Sequence, residues 1–198
     1  MQNRTYSKEH RFFIAPQWGR PINDQWSTGN VYGLTLNYFW SERMGVQATY
    51  VQGNLSNNEA NDFLASNYGT GVRPNFGRFN SYYGVGYNIV PFYAKMSFWG
   101  KKIIYFDMSI TPTLGMTTYD QVIRTGDRSK SAFTYGIDIT QFFFFTNWFA
   151  VRADLKNQWH AEEVVRFYGN GTSTFTGEKI KDKTTQDTLF LLGLNFFF

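Results

Sequence analysis

Five ionisable side chains form the strongest polar constellation in the sequence: Asp107, Asp138, Arg152, Asp154 and Lys156. The last three are spaced two residues apart, so that in a β-strand they point to one face. Carboxylates beside a guanidinium and an ammonium can form a buried ionic network, pass protons or ions, or act as catalytic acids and bases. We expect a structural network inside the protein, with an ion path and catalytic carboxylates as the alternatives.

Residue types suited to nucleophilic catalysis are sparse. The chain has no Cys, which excludes thiolate nucleophiles, disulfides and cysteine metal sites, and it has two His. His160 precedes Glu162 and Glu163, Ser173 lies further along the same segment, and His10 is near the start. A nucleophile, a base and an orienting acid must meet within hydrogen-bond distance, and this spacing does not enforce that meeting. We therefore predict that the protein is not an enzyme.

Cofactor, metal and nucleic-acid sites have no clear signature in the sequence. No Gly-rich phosphate loop or cluster of metal ligands is present. Glu59, Asp62, Asp120 and Asp127 could bind a divalent cation, but solvated loop charges explain them more simply. The net charge of +4 is spread along the chain rather than gathered in a basic stripe. We expect no cofactor, no metal and no nucleic-acid partner.

The elements that position the polar constellation are predicted by the alternation of apolar and polar side chains. Leu34 and Leu36, for example, share one face of a segment, and Gly33 and Thr35 share the other. Pro112 falls inside one segment, where its missing N–H predicts a bulge or local break. Eight such segments lie near 8–17, 29–40, 45–53, 80–90, 102–117, 131–141, 148–159 and 187–198.

The lengths of these segments suit a membrane-crossing barrel. Most have about ten residues, the length that a tilted strand needs to cross a bilayer. No stretch approaches the roughly 18 consecutive apolar residues of a membrane-spanning helix. The chain nevertheless has 21 Phe, 13 Tyr and 6 Trp at a mean hydropathy of −0.39, so large apolar side chains alternate with polar ones. A barrel accommodates this composition because its backbone hydrogen bonds are made between strands.

The cost of burying charge decides which face meets lipid. Arg or Lys at the bilayer midplane on the lipid side of a barrel costs about 2 to 4 kcal/mol. The charged face must therefore point to the interior. A soluble ligand-binding barrel, the competing binding-module class, would instead place the apolar face around a cavity. The residues predicted to face lipid are Tyr32, Leu34, Leu36, Tyr38, Tyr83, Val85, Tyr87, Ile104, Phe106, Met108, Ile110, Phe133, Tyr135, Ile137, Ile139, Phe149, Val151 and Leu155.

The connections between the segments alternate in length, which is typical of outer-membrane barrels. The short ones are 41–44 and 143–147, and the long, polar ones are 54–79, 118–130 and 160–186. We therefore predict an all-β fold, an eight-stranded antiparallel transmembrane β-barrel with short periplasmic turns and long extracellular loops. A single domain covers 1–198. The segment 91–102 does not fit a tight turn, and we expect an extended hairpin there.

The loop 54–79 is the candidate for contact with a partner. Its Phe63, Leu64, Tyr68, Phe76 and Phe79 make it too apolar for a purely solvated connection. These side chains could also pack on each other or on a neighbouring protomer.

The end of the chain predicts insertion into an outer membrane. Gly193, Phe196 and Phe198 match the C-terminal signal that outer-membrane proteins present to their insertion machinery, while Leu191 stands where that signal has a polar residue. The first five residues lack the apolar stretch of a secretion signal, so we expect an outer-membrane location in a Gram-negative bacterium after signal-peptide removal. The expected partners are outer-membrane lipids and the barrel-insertion machinery, and a homo-oligomer is left open.

Two runs of sequence resemble a known family. They are YNIVPFYAKMSFWGKKIIYFDMSITPTLG at 87–115 and FTNWFAVRADLKNQ at 145–158. Their Lys-Lys-Ile-Ile-Tyr-Phe-Asp and Arg-x-Asp elements resemble the outer-membrane β-barrel domain family of myxobacteria and Bdellovibrio-type bacteria, over about the C-terminal two-thirds of the chain. The resemblance implies fold and location, with little chemistry, and some relatives are thought to form porin-like homo-oligomers.

Together these observations predict an integral outer-membrane barrel with a structural or interaction role. Its interior would be plugged by polar side chains, and its loops would carry any contacts, including self-association. The alternatives are a porin-like homo-oligomer or small-solute channel, and an outer-membrane enzyme acting on lipids.

Overall fold

Eight antiparallel strands form a closed barrel in the computed structural model, which describes residues 5–67, 76–98, 102–123, 126–165 and 179–198. The strands are β1 (Arg11–Pro21), β2 (Ser27–Phe39), β3 (Met44–Asn57), β4 (Phe76–Phe98), β5 (Lys102–Ile123), β6 (Gly126–Phe144), β7 (Phe149–Val165) and β8 (Lys179–Phe197). Their order around the ring follows the chain, and β1 pairs with β8 to close it. The fold class predicted from the sequence is confirmed.

The two ends of the barrel differ in their connections. The turn end carries the turns 40–43 and 145–148, the first described residues and Phe198. The loop end carries the helix α1 (Glu59–Asn67). The side chain of Asn58 caps this helix, since its Oδ1 accepts the N–H of Asn61 at 3.0 Å. No helix in the described part of the chain is long and apolar enough to cross a membrane.

The strands extend further at the loop end than the apolar alternation predicts. β5 reaches Ile123 and β6 begins at Gly126, so most of the predicted loop 118–130 is a paired hairpin. Strands also enter the predicted loops 54–79 and 160–186 from both sides. Apolar alternation does not mark these extensions because their outward side chains are largely polar. Backbone N–H and C=O groups pair regardless of the side chains that they carry.

The local break expected at Pro112 is found on one side of β5. Pro112 pairs with Ile137 of β6, but the ladder with β4 passes from the pair Gly86 and Thr113 to the pair Ile89 and Ile110 without it. The register between β4 and β5 also shifts between Ile89 and Phe92, on either side of Pro91. A bulge increases twist and bends the strand. Beyond it, β4 and β5 continue as a paired extension at the turn end, within the predicted hairpin 91–102.

Inside the barrel, an apolar layer lies toward each end and a polar layer lies between them. The turn-end layer contains Phe13, Phe39, Val90, Phe142, Phe144, Ala150 and Phe197. The layer toward the loop end contains Val31, Val51, Phe79, Tyr82, Leu189 and Leu191. These layers shield the polar layer from solvent, so its charges must be paired within the protein.

Candidate functional site

The five residues of the predicted polar constellation all lie inside the barrel. Asp107, Asp138, Arg152, Asp154 and Lys156 have no solvent-exposed surface. They come from β5, β6 and β7, which are neighbours in the ring. The structure divides them into two connected ion pairs in the polar layer and one carboxylate, Asp107, that pairs elsewhere.

Arg152 and Asp154 form the first ion pair. They stand two apart on β7, so both point inward from the same strand. The Arg152 Nε donates to Asp154 Oδ2 at 2.8 Å, and Nη2 donates to Oδ1 at 2.7 Å. This forked geometry is the strongest form of a guanidinium–carboxylate contact. The third nitrogen, Nη1, donates across the lumen to the Oδ1 of Asn37 on β2 at 3.0 Å.

Asp138 and Lys156 form the second ion pair. They are opposite each other in the ladder between β6 and β7, and Lys156 Nζ donates to Asp138 Oδ2 at 2.5 Å. Gln47 on β3 donates its Nε2 to the same carboxylate oxygen at 3.0 Å. Gln47 Oε1 also accepts from Asn37 Nδ2 at 3.1 Å. The two ion pairs are therefore bridged across the barrel by amide side chains.

Several uncharged residues of this network were missed by reasoning from charge. Gln17 and Thr140 both donate to the Asp154 carboxylate. Thr35 donates its hydroxyl to Gln17 Oε1 at 2.7 Å. Each lies on the inward face of its strand, as the alternation on β1, β2 and β6 indicates. A search for inward-facing amides and hydroxyls, besides charges, would have found them.

Asp107 pairs with a residue outside the strands. Its carboxylate contacts the Nζ of Lys8, and both side chains are fully buried. The first predicted strand includes Lys8, but β1 begins at Arg11. The side chain of Lys8 enters the lumen from the turn end. No local pattern reveals this contact, because the two residues are brought together only when the barrel closes.

A second polar group lies at the loop end. His160 Nδ1 is 3.5 Å from the Oδ2 of Asp187, and its ring is 5.5 Å from that of Tyr119. On the same strand as His160, Glu162 accepts from Thr185 Oγ1 at 2.7 Å. These residues point inward above the apolar layer.

Burial, with a smaller contribution from the carboxylates of Asp24 and Glu162, raises the pKa of Asp187 to about 7. Asp187 lies beyond Phe190, where the apolar outward run of β8 ends. Burial also lowers the pKa of His160, which favours its neutral form. The unprotonated nitrogen of a neutral imidazole can accept a hydrogen bond from a protonated carboxyl, so a neutral pair is favoured over an ion pair here near neutral pH.

The weak catalytic set of the sequence is not brought together in the described residues. His10 is exposed at the turn end, whereas His160 lies at the loop end. Glu163 contacts Lys130 at 3.2 Å, and Ser173 lies outside the described residues. No group of three or more His, Cys, Asp or Glu in the described ranges is arranged to hold a metal ion.

The four acidic residues considered for a cation are divided between two environments. Glu59 and Asp62 lie in the first turn of α1, where carboxylates complement the helix dipole. Asp120 and Asp127 face Arg78, whose Nη2 is 3.9 Å and 2.7 Å from their carboxylate oxygens. Each pair therefore has a structural explanation.

The apolar side chains form the outer surface of the barrel. All residues predicted to face lipid point outward from the barrel wall. Val85 and Phe133, for example, expose 64% and 60% of their surface. Apolar side chains outside and paired charges inside are the reverse of the arrangement in a soluble protein. The apolar-in arrangement of a soluble ligand-binding barrel is not found among the described strands.

Comparison with known proteins gives structural matches alone. The sequence matches no family model and no curated protein. The N-terminal β-barrel domain of OprF from Pseudomonas aeruginosa is similar with a TM-score of 0.55 and 12% identity, over 96% of this chain and 98% of that one. Ail of Yersinia pestis gives a TM-score of 0.45 at 12% identity, with 96% and 99% covered. Neisserial surface protein A gives 0.45 at 10%, with 95% and 97% covered.

The OprF match, together with the closed ring of eight strands, decides the fold class. The fold is that of the eight-stranded outer-membrane β-barrels. Because the sequence identity is low, the similarity concerns the architecture alone.

The end of the chain forms part of β8 in the wall of this outer-membrane-type barrel. Phe196 points outward on β8, and Phe198 is exposed at the turn end. Gly193 points inward, where a Cβ atom would lie 2.8 Å from Gln17 Cγ and 3.1 Å from Arg152 Cγ. Glycine at this position therefore makes room for the polar layer. A role of these residues in insertion stays a prediction.

The predicted partner-contact residues of this barrel separate into two groups. Phe63 on α1 is 59% exposed, and Leu64 is partly exposed. Phe76 and Phe79 were wrongly placed in a loop, since they lie on β4, face inward and are 6% and 4% exposed. β4 starts earlier than its apolar alternation indicates, so these two rings are core. Tyr68 lies outside the described residues.

Proposed function

We propose that this chain is an integral protein of the outer membrane of a Gram-negative bacterium, with a structural or interaction role. The observation that carries the proposal is the inverted distribution of side chains. A belt of aliphatic and aromatic residues covers the outside, while Arg152, Asp154 and Lys156 are paired at the centre. In a bilayer, this arrangement buries apolar surface in lipid and keeps the charges of the polar layer away from it. The turn end would then be periplasmic.

The filled interior supports a barrel without a continuous pore. The ion pairs span the lumen through Asn37 and Gln47, and apolar layers lie toward both ends. Eight strands leave an interior just wide enough for side chains to fill. A porin-like homo-oligomer is the competing proposal. Purified protein in planar lipid bilayers should give no stepwise conductance, whereas reproducible steps would favour the channel.

The remaining features of the proposal concern location and partners. The alternating, aromatic end of β8 suits recognition by the barrel-insertion machinery, after removal of a signal peptide. We propose in addition that the chain is a member of the barrel-domain family of myxobacteria and Bdellovibrio-type bacteria. The outer belt would contact outer-membrane lipids. The spread of charge supports the absence of a nucleic-acid partner, and the separation of His10 from His160 supports a role other than catalysis.

Contacts with other molecules would be made at the loop end. The exposed side chain of Phe63 on α1 stands above the barrel, where a partner could cover it. Self-association through this end would make the protein a homo-oligomer. Chemical crosslinking in detergent, with Phe63→Ser as the variant, would test whether this residue contributes.

A pair of substitutions tests the membrane assignment directly. Ile137 lies within the outward belt of β6 and is 45% exposed, and Ile180 is 54% exposed near the loop end of β8. Arginine at 137 should lower the stability of the barrel in lipid vesicles by about 2 to 4 kcal/mol, and arginine at 180 should change it little. Equal, small effects at both positions would contradict the proposal, as would a parent protein that stays monodisperse without detergent.

A further inference from the structure

The N-terminal segment 5–10 folds across the turn end of the barrel. His10 has a φ of 57°, in the left-handed region that non-glycine residues rarely adopt. This conformation reverses the chain just before β1. The N–H of His10 donates to the carbonyl of Phe39 at 2.8 Å. The N–H of Lys8 donates to the carboxylate of Glu42 in the turn 40–43 at 3.2 and 3.3 Å. These hydrogen bonds hold the segment against the barrel, although the segment is not itself a strand.

The side chain of Lys8 occupies a cage built by the barrel wall. Its ammonium contacts the carboxylate of Asp107 on β5. The same nitrogen lies 4.6 Å from the centroid of the Phe39 ring and 5.3 Å from that of Phe142. An ammonium this close to aromatic rings is attracted by their quadrupoles, most strongly where water is excluded. Lysine is almost never fully buried unless its charge is paired, and here a carboxylate and two rings pair it.

Tyr6 closes the end of the cage. Its ring stacks on Phe144 at 5.9 Å and meets the edge of Tyr105 at 5.4 Å. Its hydroxyl donates to the carbonyl of Phe145 at 3.3 Å. These contacts cover the turn-end apolar layer. Lys8 and Tyr6 together therefore close the lumen at the turn end.

We propose that the turn end of the lumen is a binding site for a primary ammonium group, and that Lys8 occupies it in cis. Asp107, Phe39 and Phe142 belong to paired strands of the barrel, whereas their occupant comes from a segment outside the ladder. The backbone positions of these receptor groups are therefore set by the barrel wall and not by the segment. The ligand class is an unbranched primary alkylammonium, since the cage encloses the narrow stem and charged end of a lysine side chain.

Chemical rescue tests this site. Lys8→Ala removes three methylene groups and the ammonium, which together correspond to n-propylammonium. In detergent, the variant should melt about 6 to 12 °C lower than the parent, because the ammonium that lies against a buried carboxylate is removed. Propylammonium chloride should restore the melting temperature saturably, as binding to the folded state requires. The uncharged analogue n-propanol should not restore it.

Matched controls separate the site from general salt effects. Glu9→Ala lies on the same segment with an exposed side chain, and its melting temperature should respond to propylammonium no more than that of the parent. Unchanged stability of Lys8→Ala, or a non-saturating rise shared by all variants, would overturn the proposal.

A second pair of variants covers the case in which Lys8→Ala fails to fold. Lys8→Met keeps the stem without the charge, and Lys8→Met with Asp107→Asn removes both charges. The double variant should melt higher than Lys8→Met, and propylammonium should stabilise neither of them, because the methionine side chain fills the space of the lysine stem. Equal melting temperatures for the two would show that Asp107 is not the anchor, and the assignment would fall.

Discussion

Arg152 and Asp154 form a forked ion pair from alternate positions of one strand, at the centre of the lumen. The spacing of two places both side chains on the inward face, and the fork consumes two of the donor nitrogens of the guanidinium. The nitrogen Nη1 reaches Asn37 on the far wall. One residue therefore ties β7 to the opposite side of the barrel. The removal of such a residue leaves a buried carboxylate without its main partner.

Arg152→Leu should consequently destabilise the barrel by about 3 to 5 kcal/mol while leaving its location unchanged. The free energy of unfolding can be measured by urea titration in detergent, and the location by cell fractionation. Arg20→Leu is a suitable control, since Arg20 is exposed on β1 and donates to Asn30 at 3.1 Å. An Arg152→Leu barrel as heat-resistant on gel electrophoresis as the parent would contradict the proposed network.

The pair of Asp138 and Lys156 predicts a double-mutant effect. Lys156→Met leaves the Asp138 carboxyl buried without its ammonium partner, and should cost about 3 kcal/mol or more. Lys156→Met combined with Asp138→Asn should be more stable than Lys156→Met alone, because a buried neutral amide is less costly than an unpaired carboxylate. Urea unfolding of the four proteins in the cycle measures the coupling. Additive losses would mean that the two side chains do not interact.

Gly193→Ala should destabilise the polar layer through crowding. The added methyl would lie 2.8 Å from Gln17 Cγ, 3.0 Å from the backbone carbonyl oxygen of Pro16 and 3.1 Å from Arg152 Cγ, so side chain and backbone must both adjust. We expect a loss of about 1 to 3 kcal/mol. Gly33→Ala is the matched control, because its nearest contact is at 3.1 Å, with Gln17 Oε1, and its next contacts are at 3.5 Å. Similar losses in the two variants would show that the closer contacts at Gly193 cost nothing more.

The stability of the loop end should depend on pH through Asp187. The folded state raises the pKa of this carboxyl from 3.8 to about 7, so the folded state binds the proton more tightly than the unfolded state. Stability is therefore lost as pH rises from about 4 to 7. Asp187→Asn removes this dependence. The variant should be more stable than the parent by about 2 to 4 kcal/mol at about pH 8, with little difference at about pH 4 or below.

Urea titrations of both proteins at several pH values measure this difference. Asp182→Asn serves as a control, since Asp182 lies on the same strand with an exposed side chain. A difference between Asp187→Asn and the parent that does not change with pH would show that Asp187 titrates normally.

The alternation of side chains determined much of this protein in advance. Ile137 and Ile139 face outward while Asp138 faces inward, because covalent geometry sends successive side chains to opposite faces of any strand. The cost of charge in lipid then fixes which face is which. The same logic identified Arg152, Asp154 and Lys156 as interior residues, and the number of strands followed from counting alternating segments.

Alternation gave less information where both faces have similar polarity. Phe76 and Phe79 were assigned to a loop because the residues around them show no apolar face. Backbone pairing with β5 extends β4 through them, and their rings fill the interior. Strand ends are set by hydrogen bonding between neighbours, which leaves no mark on the side-chain pattern of one segment.

Contacts across the lumen were decided by the tertiary structure alone. Lys8 meets Asp107, Gln17 meets Asp154, and Arg152 meets Asn37 over separations of about a hundred residues. The alternation of side chains along a strand predicts that these residues point inward. It does not predict how far along the barrel axis each one lies. That height depends on the stagger and tilt of strands in the closed ring. Closure is a property of all eight strands together, so the choice of partners across the interior could emerge only with the complete barrel.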